Sequence, residues 1–225
     1  VWYVIDGEWN TLTFTNVFSY LVLMQFAPPA VIVSVPNRYV NGFNLRDRDL
    51  TPTQWADVDS SGGAANFLAF FEKELMPYIN GKYRVSGESG LFGTSFGGLF
   101  TIYAMLERPE LFRFYTTADP ALHYDGQVIP RLAAQRLPTM TFSNTVLNIG
   151  GRDGMSYHEM ARDLMDSVLR ASAPSGLNWH SALYTGETHG SSVFKSNYDG
   201  LKYSYLGYFV RNAYGYPNAG IVLKD

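Results

Sequence analysis

Gly93-Thr94-Ser95-Phe96-Gly97, with Gly98 behind it, is the stretch whose reading decides the fold. A serine that attacks a carbonyl has to stand at the tip of a tight strand-to-helix turn, and glycines on either side remove the side chains that would clash there. The bare G-x-S-x-G pattern is weak in a chain rich in Gly and Ser, so its surroundings carry the inference. Upstream, Leu91-Phe92 is a short apolar run suited to a buried strand. Downstream, Phe96, Leu99, Phe100, Tyr103, Ala104 and Leu106 recur at helical spacing until Pro109. Strand, tight turn and helix are the context that a nucleophile elbow needs. The plain alternative is a glycine-rich turn with an incidental serine. Ser89 lacks the second glycine and is set aside.

Working outward, Val1 to Ile5 reads as a buried strand, followed by a turn at Asp6-Gly7-Glu8-Trp9. A helix is expected from a cap at Thr15 or Asn16 to about Phe26, where Pro28-Pro29 ends it. Ala30 to Val35 is β-branched and nearly all apolar, as a parallel strand covered on both faces should be. A long loop from Pro36 to Gly63 follows, and loops of this length are usually functional or disordered. Ala64 to Asn80 is helical, stopped at Gly81 and distorted in its last turn by Pro77. After the elbow come a strand at Phe112 to Ala118, a loop at Asp119 to Tyr124 and a weak helix at Gln127 to Arg136. A strand at Thr145 to Ile149, a helix at Met155 to Ala171 and a strand at Leu177 to Tyr184 complete the alternation. A loop at Gly186 to Ser192 leads into a closing helix to about Asn212, with a break expected at Gly200. The alternation predicts an α/β fold with a mostly parallel sheet and helices on both faces, in one domain spanning residues 1–225. Functional groups in such sheets gather beyond the carboxyl ends of the strands.

Composition narrows the classes. With 17 Lys and Arg against 20 Asp and Glu, and a net charge of −3, the composition disfavours a nucleic-acid surface, which needs clustered Lys and Arg. The chain has no Cys, which excludes disulfides, thiolate nucleophiles and Cys-ligated zinc, and no metal or other cofactor is expected. The most apolar stretch, Thr11 to Ala30, is interrupted by Asn16, Ser19, Gln25 and two prolines, so no membrane span is expected. The first residues read as a buried strand with no initiator Met before it, which suggests a chain that begins inside a longer protein; a periplasmic or secreted location is the working expectation. A homodimer is the oligomer considered.

A serine hydroxyl becomes a useful nucleophile when a base takes its proton. Of the four histidines, His189 lies in the loop after the last expected strand, where it can reach over the sheet to Ser95; His123 is the runner-up. His158 sits in a helix pattern and His180 in a strand. The histidine needs a carboxylate to hold its tautomer. Asp153, flanked by Gly151 and Gly154 after a strand, is preferred, then Glu159, then Asp119. The plain reading of Asp153 is a turn residue capping the next helix. Two backbone donors are expected for an oxyanion, the Phe96 amide at the elbow and the Glu8 amide in the first turn, with the Glu8 charge facing away. Trp9, Arg38, Tyr39, Phe43, Arg46, Trp55, Phe96 and Tyr124 are candidate pocket residues, and Arg38, Arg46 or Arg48 could meet an anionic substrate. Scattered aromatics are more often core.

With these residues placed, the chain resembles the putative-esterase group of α/β-hydrolases, which includes siderophore esterases, feruloyl esterases, S-formylglutathione hydrolases and the antigen 85 mycolyltransferases. The likeness runs through Tyr3-Val4-Ile5-Asp6-Gly7, Arg46-Asp47-Arg48-Asp49-Leu50-Thr51-Pro52, Phe67-Leu68 to Ile79, the elbow, and His189-Gly190-Ser191-Ser192-Val193. The Arg-Asp-Leu-Thr-Pro segment leans toward the siderophore-esterase-like branch. The resemblance implies an α/β-hydrolase fold and a serine esterase acting on a small-molecule ester, with Ser95 as nucleophile, His189 as base and the Phe96 and Glu8 amides as oxyanion donors. The order Ser95, Asp153, His189 agrees with it. Two departures stand out: Thr94 replaces a common His, and Asp119-Pro120-Ala121 stands where relatives often have Ser-Pro-Ser, leaving a carboxylate at a position some hydrolases use for the acid. The family fold usually has antiparallel strands before the first strand seen here. An acyltransferase of the same fold and a catalytically silent binding protein are the competing readings.

Overall fold

The computed structural model describes residues 1–206 and Tyr208. In chain order the elements are β1 (Trp2–Ile5), α1 (Gly7–Leu23), β2 (Ile32–Val35), a small hairpin of β3 (Tyr39–Val40) and β4 (Phe43–Asn44), α2 (Arg46–Leu50), α3 (Ala64–Phe70), a π-helical turn (Phe71–Leu75) and α4 (Met76–Lys82). They continue with β5 (Gly90–Thr94), α5 (Phe96–Glu107), β6 (Phe114–Ala118), α6 (Tyr124–Arg136), a 3₁₀ turn (Leu137–Thr139), β7 (Thr145–Arg152), α7 (Ser156–Ser172), β8 (Leu177–Tyr184) and α8 (Ser192–Ser204). Six strands form one sheet in the order β2-β1-β5-β6-β7-β8, and every pairing is parallel. Among the described residues no helix is long and apolar enough to cross a membrane.

The period of two along each strand sorts the core into two layers. Trp2, Val4, Phe92, Phe114 and Val146 face Phe14, Val17, Phe18 and Leu21 of α1 and Leu201 of α8. Their neighbours Tyr3, Ile5, Leu91, Tyr115, Leu147 and Ile149 face the opposite layer, built on Leu68, Phe71, Leu99, Phe100, Ile129 and Met165. Both faces are therefore apolar, which is why these strands read as continuous apolar runs.

Four boundaries differ from the sequence expectation. α1 begins at Gly7, eight residues before Thr15, because Asp6 takes a left-handed conformation (φ 53°, ψ 49°) that sends the chain from strand directly into helix. The β-branched Thr11, Thr13 and Thr15 have modest helix propensity and hid that start. The predicted loop from Pro36 to Gly63 contains the hairpin and α2. The distortion ascribed to Pro77 appears one turn earlier, as the π-helical turn Phe71–Leu75. Proline removes the donor that the Lys73 carbonyl would receive and crowds that carbonyl, so the widened turn relieves both. β7 runs three residues beyond Ile149, with Gly150, Gly151 and Arg152 paired to Ala182, Leu183 and Tyr184.

The closing helix ends at Ser204, and most of its predicted remainder to Asn212 lies outside the described residues. Gly200 does not break it. A Cβ there would lie 2.6 Å from Thr116 Cγ2, so the absent side chain lets α8 press onto β6 and lets Asn148 Nδ2 donate to the Gly200 carbonyl (3.0 Å). Gly200→Val should therefore destabilise the fold by about 1–3 kcal/mol despite a better helix propensity. Urea denaturation monitored by tryptophan fluorescence measures this, and an unchanged midpoint would contradict the close approach.

Candidate active site

Three strands of the sheet end on residues with positive φ: Asp6 after β1 (53°), Ser95 after β5 (58°) and Asp119 after β6 (43°). Non-glycine residues rarely adopt such backbone, and it persists where surrounding contacts over-determine it. Ser95 (ψ −120°) is clamped on both sides. Its N–H donates to Ala118 O (3.1 Å), and its carbonyl accepts from Ala121 N (3.1 Å) and Leu99 N (2.9 Å). A Cβ at Gly93 would lie 2.1 Å from the Gly97 carbonyl oxygen, so only glycine permits this crossing of strand and helix. Ser95 thus stands at the head of α5 with its side chain on a cleft of about 360 Å³ lined by Asp6, Trp9, Asn10, Arg46, Thr94 and His189, among others. A larger cavity of about 550 Å³ opens at the other end of the sheet beside Val1, Pro29 and Arg84. It holds no serine elbow or histidine, whereas the smaller cleft holds both Ser95 and His189.

His189 is in the loop between β8 and α8, and its Nδ1 lies 2.6 Å from Asp119 Oδ2. Asp119 is almost wholly buried, and its N–H donates to Gly150 O (2.7 Å). Arg152 Nε donates to the same Oδ2 at 2.8 Å. Burial pushes the Asp119 carboxyl upward, but the hydrogen bond from His189, the charges of His189 and Arg152 and the Arg152 hydrogen bond outweigh it and hold the group below its ordinary value. The carboxylate on His189 is therefore Asp119, and the expectation that placed Asp153 there is corrected. The three extra residues of β7 carry Asp153 past the histidine, and its Oδ1 accepts instead from Gly186 N (3.2 Å). Glu159, the second choice, accepts from Gly154 N (2.7 Å).

At the other flank of Ser95, Arg46 makes a paired contact with buried Asp6, Nε to Oδ1 at 2.7 Å and Nη2 to Oδ2 at 2.9 Å. Its guanidinium lies over the rings of Trp9 and Phe96 at 5.5 and 5.4 Å. Arg46 lines the cleft, but Asp6 neutralises it, which argues against an anion-binding role. Glu8 and Phe96 occupy the first turns of α1 and α5, where amides have no intrahelical acceptor. The Glu8 carboxylate is held to one side, accepting from Asn37 N (3.2 Å) and Asn37 Nδ2 (2.8 Å).

The remaining pocket candidates divide. Trp9 lines the cleft and is exposed. Tyr124 is fully buried, packs edge-on against Phe96 and Trp55 and donates to Thr53 O (2.7 Å), so it is core and not a pocket wall. Tyr39 and Phe43 lie exposed on the β3–β4 hairpin, and Arg38 lines a different cleft with Arg48, Phe67 and Phe70; none of the three lines the Ser95 cleft. His123 is packed against His158 (ring centroids 4.1 Å apart) and Tyr157 (5.1 Å), with its Nδ1 buried and unpartnered. Asn10 and Arg152 were missed by the sequence reading. Asn10 Nδ2 donates to Ile5 O (2.9 Å) and its Oδ1 accepts from Thr94 Oγ1 (3.2 Å), tying the first turn of α1 to the elbow strand. Arg152 sat beside the favoured Asp153 and carried a signal of its own, a cation at the glycine-rich end of a buried strand.

Comparison with known proteins agrees with this architecture. A family model described as putative esterase matches residues 1–124. The ferri-bacillibactin esterase BesA of Bacillus subtilis is 29% identical over 133 residues, covering 54% of this chain and 46% of the relative. A siderophore triacetylfusarinine C esterase of Aspergillus fumigatus is 28% identical over 139 residues, covering 56% and 46%. The chain thus spans a little under half the length of these curated relatives. Among solved structures, an IroE-like serine hydrolase from Shewanella oneidensis superposes with a TM-score of 0.81 at 29% identity, covering 89% of this chain and 68% of that one. The BES protein from Bacillus cereus superposes with a TM-score of 0.79 at 24% identity, covering 90% and 81%. The fold is that of an α/β-hydrolase.

The histidine pair beside Asp119 has a measurable consequence. Burial lowers the pKa of His123, opposed by the charge of Asp119. Burial, then the neighbouring His123, lowers that of His158 to about 4. Imidazoles with depressed values stabilise the fold fully above their unfolded pKa of about 6.5, and that contribution is lost as pH falls toward the folded value. The thermal midpoint should therefore drop between about pH 6.5 and 4, and His158→Gln should flatten the dependence. A His158→Gln profile parallel to wild type would contradict the assignment.

Proposed function

Because the chain belongs to the putative esterase family, we propose that it is a serine carboxylic-ester hydrolase working through an acyl-enzyme, with Ser95 as nucleophile, His189 as base and Asp119 as the acid. The observation that carries this reading is the 2.6 Å contact between His189 Nδ1 and the buried Asp119 Oδ2, beside a strained serine elbow that opens on the same cleft as His189. With Nδ1–H donated to Asp119, the lone pair of Nε2 is free to take the proton of the Ser95 hydroxyl. The Ser95 oxygen then adds to the ester carbonyl carbon. Collapse of the tetrahedral intermediate expels the alcohol, which takes its proton from Nε2, and leaves an ester on Ser95. Water, deprotonated by His189, attacks that ester and releases the acid, restoring the serine.

The amides of Phe96 and Glu8 are the donors proposed for the oxyanion. Each stands at a helix start beside the cleft, where positive φ at Ser95 and Asp6 turns the chain into the helix and the helix dipole adds favourable field. The Asp6–Arg46 pair holds the first of these turns. The substrate class carried over from the named relatives is a siderophore-type ester, a small molecule that the exposed cleft beside Trp9 can admit.

Hydrolysis of a short p-nitrophenyl ester tests the assignment. Ser95→Ala and His189→Ala should each lower kcat by about 10⁴-fold or more, and Asp119→Asn by about 10²–10⁴-fold, whereas Asp153→Asn should stay within a few-fold of wild type. Undiminished turnover in Ser95→Ala would end the mechanism. A loss in Asp153→Asn equal to that in Asp119→Asn would return the acid role to Asp153. Labelling of Ser95 by a fluorophosphonate, located by peptide mapping, separates an active esterase from a silent binding protein. Partitioning of products toward an added alcohol over water would indicate an acyltransferase.

A further inference from the structure

We propose that Arg152 is a positioning residue that acts through Asp119 to keep His189 unprotonated, and therefore able to serve as base, at a lower pH than the Asp119–His189 pair alone would allow. The proposal rests on the reading of Ser95, His189 and Asp119 given above. One oxygen, Asp119 Oδ2, receives both the Nδ1 of His189 (2.6 Å) and the Nε of Arg152 (2.8 Å). A carboxylate opposite a histidine normally raises the imidazole pKa, because it favours the imidazolium. Here a permanent cation shares the same oxygen. It draws the negative charge away from His189 and repels the imidazolium directly. The base is still oriented by the carboxylate, while part of that carboxylate's charge is engaged by Arg152.

Arg152 is held for this task by the fold. It is the last residue of β7, in register with Tyr184 of β8, so its backbone is fixed by the sheet. Its side chain is 15% exposed and that of Asp119 5% exposed, so water screens their interaction little. Arg152 Nη2 donates to Met155 Sδ (3.0 Å), which anchors the far end of the guanidinium. Among the other ionisable groups around the cluster, His123, from the loop before α6, and His158 of α7 have pKa values lowered by burial, and Glu187, two residues before His189, is paired with Lys195 of α8 (2.7 Å). Asp153 and Glu159, on the loop after β7 and on α7, engage backbone amides of Gly186 and Gly154. Across the cleft, Arg46 is neutralised by Asp6. Arg152 is thus the cation that bears on Asp119 among the described residues.

The experiment is the pH dependence of kcat/KM for a p-nitrophenyl ester in the whole chain, comparing wild type, Arg152→Met, Arg152→Gln and Arg152→Lys. The acid limb of that profile reports the base in the free enzyme. Removing the cation in Arg152→Met should move the limb upward by about one pH unit, and Arg152→Lys, which keeps the charge, should bring it back most of the way. Arg152→Gln serves the same purpose if the Met variant does not fold, since it retains a donor without the charge. A limb that stays in place while activity falls, or one that Lys does not restore, would overturn the proposal and leave Arg152 with a packing role. Failure of the underlying reading is separate: it would appear as activity retained in Ser95→Ala or Asp119→Asn under the same assay.

Discussion

The hydrogen-bond ladder continues one residue past β5 and β6, and the cleft at Ser95 depends on that extension. Ser95 N reaches Ala118 O and Asp119 N reaches Gly150 O, so the chain turns away from the sheet only after each of these residues has been fixed by its neighbour. The turns themselves need positive φ at Ser95 and Asp119, an arrangement costing on the order of 1–3 kcal/mol per residue that an isolated loop would relax. The parallel sheet, buried on both faces, supplies the rigidity that holds it. Ser95 and Asp119 are thereby placed on adjacent strand ends with little freedom to separate.

Two buried carboxylates flank Ser95 in a similar way. Asp6 closes β1 and pairs with Arg46; Asp119 closes β6 and pairs with Arg152 and His189. Taking such charges out of water is costly, and replacing a buried pair by apolar groups often leaves a fold as stable or more so. Removing one partner alone is different, since it strands the other charge at a cost of roughly 3–5 kcal/mol. Their location argues for placement over stability. One pair locks the turn that carries the Glu8 amide against the elbow, and the other sets the orientation and field around His189.

The elbow was legible because its constraint is local: a Cβ at Gly93 would lie 2.1 Å from the Gly97 carbonyl oxygen, and that demand leaves a short motif. His189 was legible for a related reason, as a histidine bracketed by polar residues after the last strand. The start of α1 was not, because a non-glycine residue in left-handed backbone at Asp6 gives no compositional mark, and the threonines that follow read as poor helix formers. The carboxylate expected beside His189 was misplaced by an error in strand length. Gly150 and Gly151 suggest a turn when read alone, yet they are held in β7 by pairing with Ala182 and Leu183, residues more than thirty positions away. Tyr124 shows the same limit in another form, since its aromatic ring suits a pocket wall as well as the core, and only the packing of Phe96 and Trp55 against it tells the two apart.

The sequence by itself determined the α/β alternation, the elbow at Ser95, the place of His189 beyond the last strand and the likeness to the esterase family. Each rests on periodicity, on backbone that tolerates glycine alone, or on a short contiguous motif. Only the tertiary structure decided which carboxylate meets the histidine, that Arg46 is neutralised by Asp6, and that Arg152 shares the oxygen on which His189 rests. These are contacts between residues 33 to 70 positions apart. Their distances are set by strand register and by where each strand stops, and register is a property of the assembled sheet.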